Sequence, residues 1–186
     1  LIPVEQRPVA LSWPQQVELA RAAVASKLFA DLDNSVSKAI IKIQAGREVG
    51  LQPAEALRLV YLVGGVPSFA AQFIAARVKA SRPRYNYKII GHTDDFCEIQ
   101  FYEDGAESGK SKFTMADAKR AGLIKDRGAW GKWPRALLFC RALTQGVRWY
   151  CPDVLGSHHA AYTPEELGGE PAPEDVQEAE FTVKGD

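Results

Sequence analysis

The chain has 186 residues, 46% hydrophobic and 25% charged, enough for one domain that buries roughly 70% of its unfolded surface. Its formal charge is zero but unevenly spread: residues 1–160 carry 22 Lys and Arg against 15 Asp and Glu, and residues 161–186 carry 1 against 8. No stretch nears the roughly 18–20 apolar residues that a membrane-crossing helix needs, and no G-x-x-x-x-G-K-[ST] loop occurs, which excludes a helical membrane protein and a phosphate-loop motor.

In chain order, Pro3 and Pro8 deny residues 1–11 a helix and leave an extended N-terminal arm. Ser12 with Gln15 forms a capping box, with Pro14 in the first turn, for a helix over V-E-L-A-R-A-A-V-A-S-K-L-F. Asp31 to Ser35 is a polar break. A second helix spans Val36 to Val49, with Val36, Ala39, Ile40 and Ile43 inward; Gly46 and Gly50 are expected to loosen its end. After Leu51-Gln52-Pro53 a helical start turns to strand at L-V-Y-L-V, and Gly64-Gly65 turns it into a return arm, V-P-S-F. Ser68 offers an alternative, as the cap of a helix over Phe69 to Lys79. Arg82-Pro83-Arg84 breaks the chain, and Tyr85 to Ile89 alternates as a strand. After a turn near Thr93–Asp95, F-C-E-I-Q-F-Y alternates again, with Cys97, Ile99 and Phe101 on one face and Phe96, Glu98, Gln100 and Tyr102 on the other. Asp104-Gly105 with Ser108-Gly109 reads as a loop, and Lys110 to Phe113 as a short basic strand. Thr114 and Asp117 cap a brief helix that Gly122 ends.

The stretch from Arg127 to Tyr150 organises the rest. A glycine-rich turn carries Trp130, Lys132 and Trp133, and Pro134 then opens a helix. Ala136, Phe139, Cys140, Leu143 and Val147 make its apolar stripe, widened by Leu138, Ala142 and Trp149. Arg141, Thr144, Gln145 and Arg148 fall on the remaining, non-buried face. Trp133 and Trp149 are expected in the core, while Trp130 is open to stacking. Beyond Leu167 the chain is Gly, Pro, Ala and acid, an acidic flexible tail over 168–186. The plan is α+β, a small antiparallel β-sheet packed with helices, with one core over 12–167.

Lys110 to Arg148 holds ten basic residues against Asp117 and Asp126, and Arg77 to Lys88 holds five and no acid. Such blocks point to a polyanion, most often nucleic acid. The candidate contacts are Arg77, Lys79, Arg82, Arg84, Lys88, Lys110, Lys112, Lys132, Arg135, Arg141 and Arg148, with Trp130, Tyr85 and Tyr87 as rings on which bases could stack. Cys97, Cys140 and Cys151, an odd number in apolar contexts, read as buried reduced thiols of a cytosolic protein. His158-His159 with Asp153 and Cys151 is a metal-like cluster, but adjacent histidines do not readily share one metal. No catalytic constellation, metal or cofactor is therefore expected. Two other readings stand beside nucleic-acid binding: a metal-dependent DNA nuclease ligated by Asp153, His158 and His159, and a non-enzymatic interaction protein that mimics DNA through its acidic tail.

The phrases I-Q-A-G-R-E-V-G-L-Q-P-A-E-A-L, V-Y-L-V-G-G-V-P-S-F, D-A-K-R-A-G-L, W-G-K-W-P-R-A-L-L-F-C-R-A-L and W-Y-C-P-D-V-L-G…Y-T-P-E-E-L occur in this order. Together, over roughly Ala22 to Leu167, the chain resembles the phage RecT-type recombinases, the single-strand DNA annealing proteins. The resemblance implies ATP-independent binding of single-stranded DNA and annealing of complementary strands through a duplex intermediate, in the bacterial host cytoplasm. It also implies a homo-oligomer, ring or helical filament, and a Rad52-like β-β-β-α annealing core. Lys132, Arg135, Arg141 and Arg148 are the residues it carries over. The chain departs from the family pattern at Val66, where a basic residue is common. The acidic tail would shield the basic groove or dock a host or phage replication or exonuclease protein.

Overall fold

A computed structural model of the protein describes residues 11–125, 128–156 and 161–173. The chain forms two compact units, Leu1–Val60 and Tyr61–Asp186, so the single core expected over 12–167 is divided at Val60. The arm before Leu11, His158, His159 and the tail from Glu174 lie outside the described residues.

The first unit is helical. α1 (Trp13–Ser26) starts where the Gln15 side-chain oxygen accepts from the Ser12 amide and hydroxyl, both at 2.9 Å. A 3₁₀ turn (Ala30–Leu32) leads to α2 (Val36–Glu48), capped by Ser35 Oγ accepting from the Lys38 amide at 3.2 Å. Ala20, Ala23, Leu32, Ala39, Ile43 and Leu57 form the core, with Val36 and Ile40 packed against it. Lys42 is 1% exposed and donates to the Asp31 carboxylate at 2.6 Å, a buried charge tolerated because it is paired. α3 (Pro53–Leu59) crosses α2 so closely that a Cβ on Gly46 would run into Ala56. Gly46 therefore permits close helix packing and does not loosen the helix end; Gly50, at φ 79°, performs that ending.

The second unit is α+β. β1 (Val60–Val63) and β2 (Val66–Phe69) form a two-stranded sheet around Gly64 and Gly65, at φ 59° and 83°, the pair of left-handed residues a two-residue hairpin turn requires. The hairpin reading thus prevails over a Ser68 cap. Ser68 is buried, its hydroxyl donating to Tyr61 O at 3.3 Å, and α4 (Ala71–Ala80) starts after the strand. β3 (Tyr85–His92), β4 (Phe96–Glu103) and β5 (Ala106–Thr114) make an antiparallel sheet in the order β3-β4-β5. The stretch expected as a loop before Lys110 is strand. Only Asp104 and Gly105, at φ 48° and 85°, are needed to reverse the chain, and Tyr102 and Phe101 already face Glu107 and Gly109.

α5 (Met115–Arg120) and α6 (Ala129–Lys132) follow, then α7 (Pro134–Tyr150). α7 lies on the face carrying Cys97, Ile99 and Phe101, all buried. A Cβ on Gly146 would collide with Phe101 and Ser111, so the helix approaches the sheet where it lacks a side chain. Leu137, Leu138, Cys140, Leu143 and Val147 are buried as well. Thr144 is not on an open face: its hydroxyl donates to Cys140 O at 2.9 Å, which lets it be buried. Trp149 departs from expectation the other way, being 57% exposed, while Trp133 is half-buried. A second 3₁₀ turn (Pro164–Leu167) follows a segment whose Tyr162 carbonyl accepts from the Phe69 amide at 2.9 Å. Ala172 is fully buried and Gly169 packs on Val63, so fixed structure extends past the Leu167 boundary drawn from composition.

Candidate nucleic-acid interface

Strand register places side chains on a face, since directly opposed residues point the same way. With α7 on one side of the sheet, the other side carries Asn86, Lys88, Phe96, Glu98, Gln100, Tyr102, Glu107, Lys110, Lys112 and Thr114. Lys88, Gln100 and Lys110 form one row across the three strands, with the lysine backbones about 10 Å apart at two strand spacings. All three lysines of this face are exposed. Gln100 is buried at its centre, its amide donating to Phe101 O at 3.0 Å and Gly109 O at 2.9 Å. Lys112 sits 3.7 Å from Glu98 and 4.4 Å from the Phe96 ring centre; an exposed pair of that length is weak, so a phosphate could compete with Glu98 for the lysine.

At the β3 edge this face runs into a cleft of about 790 Å³ lined by Lys79, Arg82, Asn86, Tyr87, Lys88 and Tyr102. The Lys79 ammonium donates to Asn86 Oδ1 at 2.8 Å and to the Tyr87 carbonyl, and stands 4.0 Å from the Tyr87 ring centre. Burial, then the charge of Arg82, pushes the Lys79 amine below its ordinary range. Only the second of these causes is the repulsion of a neighbouring cation; the first is the loss of water around the amine. Five expected contacts, Lys79, Arg82, Lys88, Lys110 and Lys112, are therefore brought onto one continuous surface.

The other candidates are placed elsewhere. Arg141 and Arg148 are not on an open face: they close on Glu166, whose side chain is 2% exposed. Arg141 Nη1 meets Oε1 at 3.0 Å; Arg148 meets Oε2 at 3.0 Å and Oε1 at 3.2 Å. Arg148 also donates to Ala161 O at 2.6 Å and lies over the Tyr162 ring, while Arg141 lies over Phe113. Nothing in the sequence singles Glu166 out of eight C-terminal acids, and only the fold brings it against Arg141 and Arg148 of α7. Arg84 pairs with Asp153 at 2.8 Å. Tyr85 is buried and donates to Asp153 at 2.7 Å, so it is no stacking platform; burial, then that bond, pushes its hydroxyl up to about 12. Trp130 is 5% exposed against Phe113, and so is core. Tyr87 is half-buried beneath Lys79. Arg135 is exposed, donating to His92 O at 3.3 Å, and Lys132 is exposed. Arg77 is half-buried in α4, its Nε enclosed without a hydrogen-bond partner.

Tyr102 and Asn86 belong to the surface and were not among the expected contacts. The strand alternation that set Tyr102 opposite Phe101 was the signal for the first; only the cleft reveals the second. Asp153 is committed to Tyr85 and Arg84, and among the described residues no group of three or more His, Cys, Asp or Glu could hold a metal ion. In comparisons with known proteins, no family model matches the chain, and neither does any curated protein or any solved structure.

Proposed function

We propose that the protein binds single-stranded DNA irrespective of sequence and anneals complementary strands without nucleotide hydrolysis, as an oligomer of identical chains. The observation that carries this reading is the collection of Lys79, Arg82, Lys88, Lys110 and Lys112 on one sheet face and its adjoining cleft. Lysine and arginine contacts to phosphates supply affinity without reading sequence. Annealing requires that property, because the base edges must stay available to a second strand. Three antiparallel strands followed by helices are also what the resemblance to the single-strand annealing proteins leads one to look for, and the Rad52-like core belongs to the same proposal. The test is annealing of two complementary oligonucleotides, one fluorophore-labelled and one quencher-labelled, with no nucleotide added. Acceleration over the protein-free rate is expected, and an unchanged rate in the presence of strand binding would reject annealing.

A further inference from the structure

We infer that the cleft at the β3 edge is a nucleotide pocket, in which one base of the bound strand stacks on Tyr102 while Lys88 and Arg82 hold the flanking phosphates. This deepens the proposed function and rests on its reading of the sheet as a single-strand DNA surface.

The lining has the chemistry of that ligand class. It combines cations with two phenol rings, and no carboxylate lines it. Its volume of about 790 Å³ lies within the range of pockets that take small molecules. Tyr102 stands on the central strand, opposite Asn86 of β3 and on the same face as Lys88. A base lying on its ring would be next to the lysine that could take the phosphate. Gly105, in the β4–β5 turn at φ 85°, also lines the cleft and has open space where a Cβ would stand.

Asn86 adds a fixed polar group. Its Oδ1 accepts from Lys79 Nζ at 2.8 Å and from the Tyr87 amide at 2.9 Å. The oxygen being committed, the Nδ2 donors remain for an acceptor such as a base carbonyl. Lys79 is spent on orienting this amide and on the Tyr87 carbonyl, and so is a positioning residue rather than a phosphate contact. An acidic peptide would satisfy the cations but give the Tyr102 face nothing flat to stack on. Stacking engages a base through its face, which leaves the pairing edge open for annealing.

The test uses the full chain and two fluorescein-labelled probes of equal length, an oligothymidylate and an abasic deoxyribose-phosphate strand. If one base per site stacks, the oligothymidylate binds tighter by roughly 5- to 150-fold. Tyr102→Phe should keep that ratio and Tyr102→Leu, which retains an apolar strand residue, should bring it close to one. Lys88→Ala should weaken both probes alike. A ratio near one for the unsubstituted chain, or an unchanged ratio in Tyr102→Leu, overturns the pocket. The unsubstituted chain decides the matter if a variant does not fold. Equal, salt-sensitive binding of both probes would sink the pocket and leave the DNA-binding reading standing; binding of neither would sink both.

Discussion

Glu166 shows how one residue redirects a reading. Two guanidinium groups seven residues apart on α7 suit a phosphate as well as a carboxylate, since both are planar-donor targets. The chain supplies the carboxylate itself, through the Tyr-Thr-Pro-Glu-Glu-Leu segment, and buries it to 2% exposure. Removing that charge leaves Arg141 and Arg148 enclosed against a neutral amide. Glu166→Gln is therefore expected to cost on the order of 2–4 kcal/mol, somewhat below the range for fully buried pairs because the arginines retain 18% and 25% exposure. Urea unfolding measures it. The same variant should leave the salt dependence of DNA binding unchanged, whereas a steeper salt dependence would return these arginines to the proposed DNA site, because neutralising Glu166 frees them for phosphate.

At the scale of elements, the α7–sheet contact fixes the second unit, and Gly146 sets its distance. Gly146→Ala should destabilise by about 1–3 kcal/mol despite the better helix propensity of alanine, because Phe101 and Ser111 occupy the space. A thermal melt no lower than that of the parent would show that the helix can shift outward at little cost. Much of this element level was legible in the sequence. Gly64-Gly65 announced the first hairpin, alternation from Phe96 to Tyr102 sorted the central strand's faces, and Pro134 marked the start of α7. What was not legible depended on contacts distant in sequence. Ser108 and Gly109 resemble loop residues until β4 pairs with them. Trp149 continues the apolar stripe of α7 but stands exposed near the helix end. Thr144 and Arg141 read as solvent-facing until the fold supplies a carbonyl for one and Glu166 for the other. For the site, the charge blocks were visible, but not which half of them would converge. Lys88, Lys110 and Lys112 share a face because of strand register, while Arg141 and Arg148 lie on a helix applied to the opposite face.

The whole molecule is a basic body joined to acidic C-terminal residues, and under the proposed function this asymmetry would govern its encounter with DNA. Residues 174–186 carry Glu174, Asp175, Glu178, Glu180 and Asp186 against Lys184. Their deletion is expected to leave thermal stability unchanged and to raise DNA affinity at low salt, the gain shrinking towards 0.5 M as screening shortens to a few ångströms. Deletion from Gly168 should also lower the melting temperature, because Ala172 is buried and Gly169 packs on Val63 within the second unit. Under the proposed function Arg82, Lys88, Lys110 and Lys112 form one phosphate-binding surface, with Lys88, Lys110 and Lys112 acting from the open sheet face and Lys79 orienting Asn86 beside them. The most direct test of this surface is the affinity for oligothymidylate as a function of salt, for the parent chain and the Lys88→Ala, Lys110→Ala, Lys112→Ala triple variant. With about four phosphates engaged, the parent's log–log slope should be about −3, and the variant's shallower by about 2, at roughly 0.7 per contact. A parent slope near zero, or an unaltered slope in a folded triple variant, would contradict it.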